Sequence, residues 1–158
     1  METLQIDKAN ALKAHEEANP KGKSLLENLF GKKVFLKDVK DRIKNFDDVL
    51  AENEISREDF ETSCEGLEPD EIAYRMAKLV CLAFNEGWLP DWTNSNEYKY
   101  TPYFRMGSSS GVGFSYHDFG LWYALSDVGS RLCFKSSDLA KHAGQLFEQE
   151  IYKPLFTI

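Results

Sequence analysis

Cysteine, basic side chains and long apolar runs are all scarce in this sequence of 158 residues. Cys64, Cys81 and Cys133 are too few and too widely spaced for a disulfide framework or a zinc knuckle. The longest apolar run, residues 79–84, is about a third of a membrane span, and the N-terminus lacks the apolar stretch of a secretory signal. We therefore expect a cytoplasmic protein with reduced thiols and no membrane partner.

The charge of the chain is acidic and unevenly distributed. With 26 Asp and Glu against 19 Lys and Arg, the net charge is −7, which makes duplex DNA an unlikely partner. Range 21–44 holds eight basic residues against three acidic ones, whereas range 45–72 holds eleven acidic residues against one arginine. We interpret both ranges as solvated helix faces, and charge mimicry of nucleic acid is the alternative interpretation of the acidic one.

Helical patterns fill the first 87 residues. A weakly apolar first helix is expected to stop before Pro20. Ser24 and Glu27 form a capping-box pattern that predicts the start of a second helix, which ends at Gly31. The apolar stripe over 39–50 predicts one amphipathic helix behind an Asp38 cap.

Two further helices precede the change of period at Gly87. Ser56 opens a short helix that ends near Gly66, and Pro69 suits the first position of a longer one. The predicted buried face of the longer helix is Ile72, Met76, Leu79, Val80 and Ala83.

Beyond Gly87 the pattern alternates every second residue, as in β-strands. A first strand covers 98–106, where Pro102 predicts an edge strand or a bulge. A hairpin loop at 107–113 and turns at 118–120 and 127–130 separate three more predicted strands. Those strands are 112–117, 121–125 and 132–134.

The predicted fold class is α+β. It has a helical N-terminal half, a three- to four-stranded antiparallel meander, and a C-terminal helix that packs on the sheet. A cap at Ser136, Ser137 or Asp138 opens that last helix, and Pro154 ends it. The predicted organisation is a frayed N-terminal helix at 1–20 and a single domain at 21–158, divided into a helical part (21–87), a sheet (88–135) and the final helix (136–153).

Several stretches resemble an uncharacterised protein family of gut anaerobic bacteria and their phages or prophages. They are Glu65-Gly-Leu-Glu-Pro-Asp-Glu-Ile-Ala-Tyr-Arg, Asn85-Glu-Gly-Trp-Leu-Pro-Asp-Trp, Tyr98-Lys-Tyr-Thr-Pro-Tyr-Phe, Gly113-Phe-Ser-Tyr, Val128-Gly-Ser-Arg-Leu-Cys-Phe-Lys-Ser and Leu139-Ala-Lys-His-Ala-Gly. The resemblance covers roughly residues 34–158. It implies a mobile-element context and assigns no catalytic residue.

Catalytic and metal-binding patterns are sparse. Cys133 and His117 could form a thiol–imidazole pair, although a buried cysteine and a solvent-facing histidine are the alternative interpretation. Loop 107–113 lacks the lysine of a phosphate-binding loop. No histidine pair has metal-ligand spacing, and the acidic windows lack the central glycine of an EF-hand. We therefore predict no catalytic residue, no metal and no cofactor.

Aromatic density is the unusual feature of the sequence. Twelve of the 21 aromatic residues lie between Phe84 and Tyr123, including all three tryptophans. They exceed what one sheet face needs, and Lys99 and Lys135 lie beside them. A second packed face, a protein interface and a surface for single-stranded bases all fit this excess. The candidate binding residues are Trp88, Trp92, Tyr103, Arg105, Phe119, Trp122 and Arg131.

The sequence therefore predicts an accessory protein related to phages or mobile elements. We expect it to be a non-catalytic protein–protein interaction module that acts through the aromatic surface of its sheet. Single-stranded nucleic acid is the alternative ligand of that surface. A small enzyme that uses Cys133 and His117 is the second alternative.

Overall fold

A computed structural model describes residues 7–107, 113–123 and 131–157. The chain forms two compact units, Met1–Arg42 and Ile43–Ile158. Within the described residues the fold is α+β, with eight α-helices and one two-stranded antiparallel sheet. None of the helices in these residues is both long enough and apolar enough to cross a membrane.

The first unit is helical. Its elements are α1 (Lys8–Glu17), α2 (Pro20–Phe30), a 3-10 turn (Lys32–Phe35) and α3 (Val39–Arg42). The predicted start of α2 at the Ser24 capping box is wrong, because Asn19 caps the helix and its Oδ1 accepts a hydrogen bond from Gly22 N at 2.9 Å. Proline fits the first helical turn, so the helix begins at Pro20. The predicted end at Gly31 is confirmed by its positive φ of 83°.

The second unit holds the sheet and the longest helix. Its elements are α4 (Phe46–Glu52), α5 (Arg57–Ser63), α6 (Pro69–Asn85), β1 (Lys99–Arg105), β2 (Ser115–Trp122), α7 (Ser137–Leu146), a π-helical turn (Glu148–Tyr152) and α8 (Lys153–Phe156). Helix α6 packs against α4, the π-helical turn and α8, and α7 packs on both strands.

The predicted single helix over 39–50 is interrupted. Helix α3 ends at Arg42, whose guanidinium turns back and donates to the carbonyl oxygens of Leu36 at 3.0 Å and Lys37 at 3.1 Å. Asn45 then caps α4, its Oδ1 accepting a hydrogen bond from Asp48 N at 3.0 Å. The asparagine side chain offers the backbone a local partner that competes with helix continuation.

Helix α6 begins at Pro69 as predicted, but its buried face is rotated from the predicted one. Val80 and Ala83 are buried as expected, whereas Ile72, Met76 and Leu79 are only half-buried. The alanines of the buried face allow α4, the π-helical turn and α8 to pack closely against α6. The buried face consists of Ala73, Ala77, Val80, Cys81, Ala83, Phe84 and Asn85.

The sheet has two strands, and the predicted three- to four-stranded meander is not confirmed. Strand β2 runs without interruption through Asp118 and Gly120, where the sequence predicted a turn. Gly120 lies opposite Thr101, and a Cβ there would be 3.0 Å from Thr101 Oγ1. This glycine therefore permits close strand packing. The predicted loop 107–113 and turn 127–130, together with the end of the strand at Leu125, fall largely outside the described residues.

Two other features of the sheet agree more closely with the predictions from the sequence. The register shifts between Tyr103 and Phe104, which is the irregularity that Pro102 predicted. The predicted fourth strand is reduced to one bridge, in which Phe134 pairs with Tyr100 on the other side of β1.

The predicted C-terminal helix is confirmed at its start and corrected at its end. Ser136 caps α7, its Oγ accepting a hydrogen bond from Leu139 N at 3.3 Å. After Phe147 the backbone forms the π-helical turn, and Pro154 lies in the first turn of α8. Pro154 therefore does not end the helical segment, because the first turn of a helix needs no backbone donor from it.

Candidate binding site

A cavity of about 380 Å³ lies beside the C-terminal end of α6. We call it the tryptophan cavity. The exposed rim includes Leu82, at 48% exposure, and Leu89, at 71%. Its main lining side chains are Lys78, Leu82, Trp88, Leu89, Trp92 and Arg131, with the thiols of Cys81 and Cys133 among the other lining groups.

The end of α6 directs the chain toward the cavity. Glu86 and Gly87 both have a positive φ, of 50° and 85°, which breaks the helix. Trp88 N then donates to Asn85 O at 3.0 Å. Glycine adopts a positive φ without strain, so Gly87 suits this reversal.

Lys99 holds the segment that carries Trp92. Its side chain is fully buried, and its Nζ donates to the carbonyl oxygens of Asp91 at 2.6 Å, Glu97 at 2.9 Å and Asn94 at 3.1 Å. The Trp92 ring lies over the same ammonium at 5.5 Å. The sequence placed Lys99 beside the aromatic residues as an available cation. Lys99 is instead buried, and its hydrogen bonds connect β1 to segment 91–97.

Glu97 completes this arrangement. Its carboxylate accepts a hydrogen bond from Asp91 N at 2.8 Å and lies 3.1 Å from Lys99 Nζ. Burial acts to raise the pKa of Glu97, but hydrogen bonds from Asp91, Lys99 and Trp88 outweigh it, and the pKa is lowered. The carboxylate is therefore ionised at neutral pH and contacts the segments of both tryptophans.

Asn85 holds the opposite wall of the cavity. Its amide is buried, with Nδ2 donating to Cys133 O at 2.8 Å and Oδ1 accepting from Lys135 N at 3.0 Å. The Lys135 ammonium also pairs with Glu86 at 3.0 Å. One side of the cavity is therefore fixed to β1 through Lys99 and the other to α6 through Asn85, before any ligand binds.

The two thiols that line the cavity are poor nucleophiles. Burial raises the pKa of Cys133 to about 11, and burial followed by the charge of Cys133 raises the pKa of Cys81. Nucleophilic attack requires the thiolate, which is scarce at neutral pH under these conditions. His117 is exposed on β2, where its ring lies 6.4 Å from that of Tyr103. This arrangement lends no support to a Cys133–His117 pair.

The charge of the cavity favours anions. Lys78 and Arg131 contribute the charged side chains to its lining, and no carboxylate among the described residues lines it. On a chain with a net charge of −7, this is a local reversal of sign. A ligand with negative charge would therefore be attracted to this cavity.

The structure brings three of the seven predicted binding residues together, namely Trp88, Trp92 and Arg131. Trp122 is half-buried, and its Nε1 donates to Thr101 Oγ1 at 3.1 Å. It therefore packs on the strand that it pairs with.

The remaining three predicted residues lie elsewhere on the sheet. Tyr103 and Arg105 are exposed at the far end of β1. Phe119 pairs with Pro102 on the opposite face from Tyr103, and Lys141 of α7 lies 4.9 Å from its ring. The seven residues therefore do not share one surface.

Sequence reasoning missed a tyrosine pair on the sheet. The rings of Tyr98 and Tyr123 lie 5.0 Å apart, and each residue is 47% exposed. A hydrogen bond between them, together with the charge of Tyr98, raises the pKa of Tyr123. The sequence did show alternating tyrosines at 98 and 100, but this alternation is equally typical of a buried face of a strand.

A second cavity, of about 320 Å³, lies between α5 and α6. We call it the α6 groove. Leu79 is half-buried because it lines this groove, and Lys78 and Leu82 line both cavities. The signal in the sequence was the apolar stripe of α6, which was assigned entirely to the core.

Within the described residues, no group of three or more His, Cys, Asp or Glu side chains could hold a metal ion. Comparison of the chain with protein-family models, with curated proteins and with solved structures finds no match.

Proposed function

We propose that this protein is a non-catalytic interaction module that binds a partner protein through the tryptophan cavity. The observation that carries the proposal is the convergence of Trp88, Trp92 and Arg131 on one concave site with an exposed leucine rim. Tryptophan and arginine are enriched among the residues that dominate binding energy at protein interfaces.

The rigidity of the site supports the proposal. Lys99 and Glu97 hold one wall, and Asn85 holds the other, all through hydrogen bonds within the second unit. A preformed site loses less conformational entropy when it binds, so more of the contact energy contributes to affinity. The resemblance in the sequence adds an accessory role in a mobile element to this proposal.

The test compares two exposed apolar residues. Leu89→Asp places a charge on the cavity rim, whereas Tyr103→Ala alters the exposed part of the sheet, where Tyr103 is 60% exposed. We expect Leu89→Asp to reduce partner retention about tenfold or more, because binding would then bury an unpaired carboxylate against apolar surface. We expect Tyr103→Ala to retain the partner.

The measurement is an affinity capture from a lysate of the organism that encodes the chain, with and without nuclease, read by quantitative mass spectrometry. Circular dichroism establishes that both variants are folded. Equal retention by Leu89→Asp and the wild type would contradict the proposal. Loss of partner retention in Tyr103→Ala, but not in Leu89→Asp, would indicate that the interface lies on the sheet.

Single-stranded nucleic acid is a second candidate ligand, favoured by the tyrosine pair of the sheet. Exposed rings of Tyr98 and Tyr123 provide stacking surfaces for bases, and Lys141 lies near the ring of Phe119 on the same face. Fluorescence anisotropy with a labelled 20-mer should then show binding that weakens steeply with salt. Absence of a shift at low ionic strength would remove this candidate.

A further inference from the structure

We infer that the partner presents an acidic linear segment, which lies along α6 and fills both the tryptophan cavity and the α6 groove. This inference rests on the proposed function and specifies the chemistry of the partner. It is drawn from the adjacency of the two cavities, from their apolar lining and from their charge.

The two cavities adjoin on α6. Lys78 and Leu82 line both of them, so one bound segment can enter the two without leaving the surface. We call the combined site the α6 channel. It follows α6 from Arg75 to Asn85, which is about 15 Å at the rise of an α-helix.

Apolar side chains line the channel along its length. Leu82 is 48% exposed and lies where the cavities meet. Leu79 and Phe60 line the groove end, and Trp88 lines the other. Apolar surface at both ends favours a segment with two separated bulky apolar side chains, one for each end.

The charge along the channel selects an acidic segment. Arg75, Lys78 and Arg131 contribute three cations to its lining. Asp59 is the carboxylate among the described lining residues, and its Oδ2 already accepts a hydrogen bond from Ser56 Oγ at 2.6 Å. Acidic side chains beside the apolar anchors would therefore meet positive charge along the whole channel.

The experiment is a selection of displayed random twelve-residue peptides on the immobilised full chain. We expect the enriched peptides to be acidic and to carry two separated bulky apolar residues. Binding of a selected peptide should weaken as the salt concentration rises, because exposed charge pairs are screened.

Charge-reversed variants sharpen the experiment. The double variant Lys78→Glu/Arg131→Glu should bind the selected acidic peptides about tenfold or more weakly, since like charges then face each other. Lys141→Glu/Lys153→Glu makes the same change in net charge away from the channel and should bind them as the wild type does. Thermal unfolding establishes that both variants are folded.

The outcomes separate this inference from the proposed function. Enrichment of neutral or basic peptides, equal binding by both double variants, or an empty selection would overturn the acidic segment. The proposed function would still be judged on its own by the capture with Leu89→Asp. Loss of capture in Leu89→Asp, combined with unchanged capture in Lys78→Glu/Arg131→Glu, would keep the cavity and reject the acidic partner.

Discussion

Lys99 places a charged ammonium where protein interiors normally exclude charge. Three backbone carbonyl oxygens and the Glu97 carboxylate surround its Nζ, and the side chain has no exposed surface. A buried charge is tolerated only when it is paired and hydrogen-bonded, and removing one partner leaves the others unsatisfied. Lys99 therefore joins β1 to the segment that carries Trp92.

Replacing Lys99 should destabilise the fold. Lys99→Met keeps the apolar stem but removes three hydrogen bonds to backbone carbonyl oxygens and leaves the half-buried Glu97 carboxylate without its ammonium partner. We therefore expect the free energy of unfolding to fall by about 3 kcal/mol. Urea denaturation followed by tryptophan fluorescence measures the change. Lys153→Met, at an exposed position, is the matched control and should change stability by less than about 0.5 kcal/mol. Equal stability of the two variants would contradict the role given to Lys99.

The Cys133 thiol should make stability depend on alkaline pH. Burial raises the pKa of Cys133 from 9.0 to about 11, so the folded state retains the proton that the unfolded state releases. The contribution of the thiol is complete below pH 9 and is lost as the pH rises toward 11. Urea denaturation between pH 7 and pH 11 should show a steeper decline for the wild type than for Cys133→Ala. Parallel declines would refute the burial effect.

Helix α7 approaches the sheet closely at Gly144. A Cβ at that position would lie 2.7 Å from Pro102 Cβ and 2.8 Å from Tyr116 Cδ2. Both neighbours belong to the face of the sheet that α7 covers, and neither is the flexible end of a long side chain. The absence of a side chain therefore sets the distance between helix and sheet.

Gly144→Ala tests this contact between elements. Alanine favours helix by about 1 kcal/mol over glycine, but overpacking against the strands costs about 1–3 kcal/mol, so we expect a net loss of stability. Gln145→Ala, at the exposed neighbouring position, should be neutral or slightly stabilising. Urea midpoints of both variants provide the comparison. A Gly144→Ala variant more stable than the wild type would show that α7 can shift away from the sheet at no cost, and would contradict the role given to Gly144.

Helix α6 has two apolar faces that differ in burial. One face, which includes Ala77 and Phe84, is fully buried in the second unit. The other face, which includes Leu79 and Leu82, lines the α6 channel. A helix stripe shows which side chains are apolar, but the neighbouring elements decide which of them are covered.

At the scale of the whole molecule, the proposed site lies within one unit. All three tryptophans, both cavities and the sheet belong to Ile43–Ile158. This unit has its own core, with Phe84, Phe134, Phe147 and Ile151 fully buried. Its folding is thus expected to be a property of its own residues.

A fragment of residues 43–158 should therefore fold and retain the tryptophan cavity. Its fluorescence emission maximum should match that of the full chain, because the tryptophans keep their surroundings. The fragment should also bind the peptides selected on the full chain with an affinity within about threefold, as expected of a site within one domain. A red-shifted emission, typical of exposed indoles, would show that the fragment does not fold.

Local signals in the sequence determined several helix boundaries and the α+β class. Ser56 and Ser136 cap the helices where their side chains predicted, and Pro69 and Gly31 mark a start and an end. Such signals depend on hydrogen bonds and dihedral angles within a few residues, so they can be recognised without the rest of the fold.

Only the tertiary structure decided the number of strands and the burial of Lys99. It also decided which aromatic residues line the tryptophan cavity and which lie on the sheet. Gly120 resembles a turn residue until Thr101 lies opposite it, and Lys99 resembles a surface cation until three carbonyl oxygens surround it. Trp88 and Arg131 meet because Asn85 fixes the segment after Arg131 to the end of α6. The strand pairing and the cavity depend on residues far apart in the chain, whose contacts no local pattern encodes. The partners of Lys99 lie nearby in the chain, but they belong to an irregular segment whose path no periodic pattern predicts.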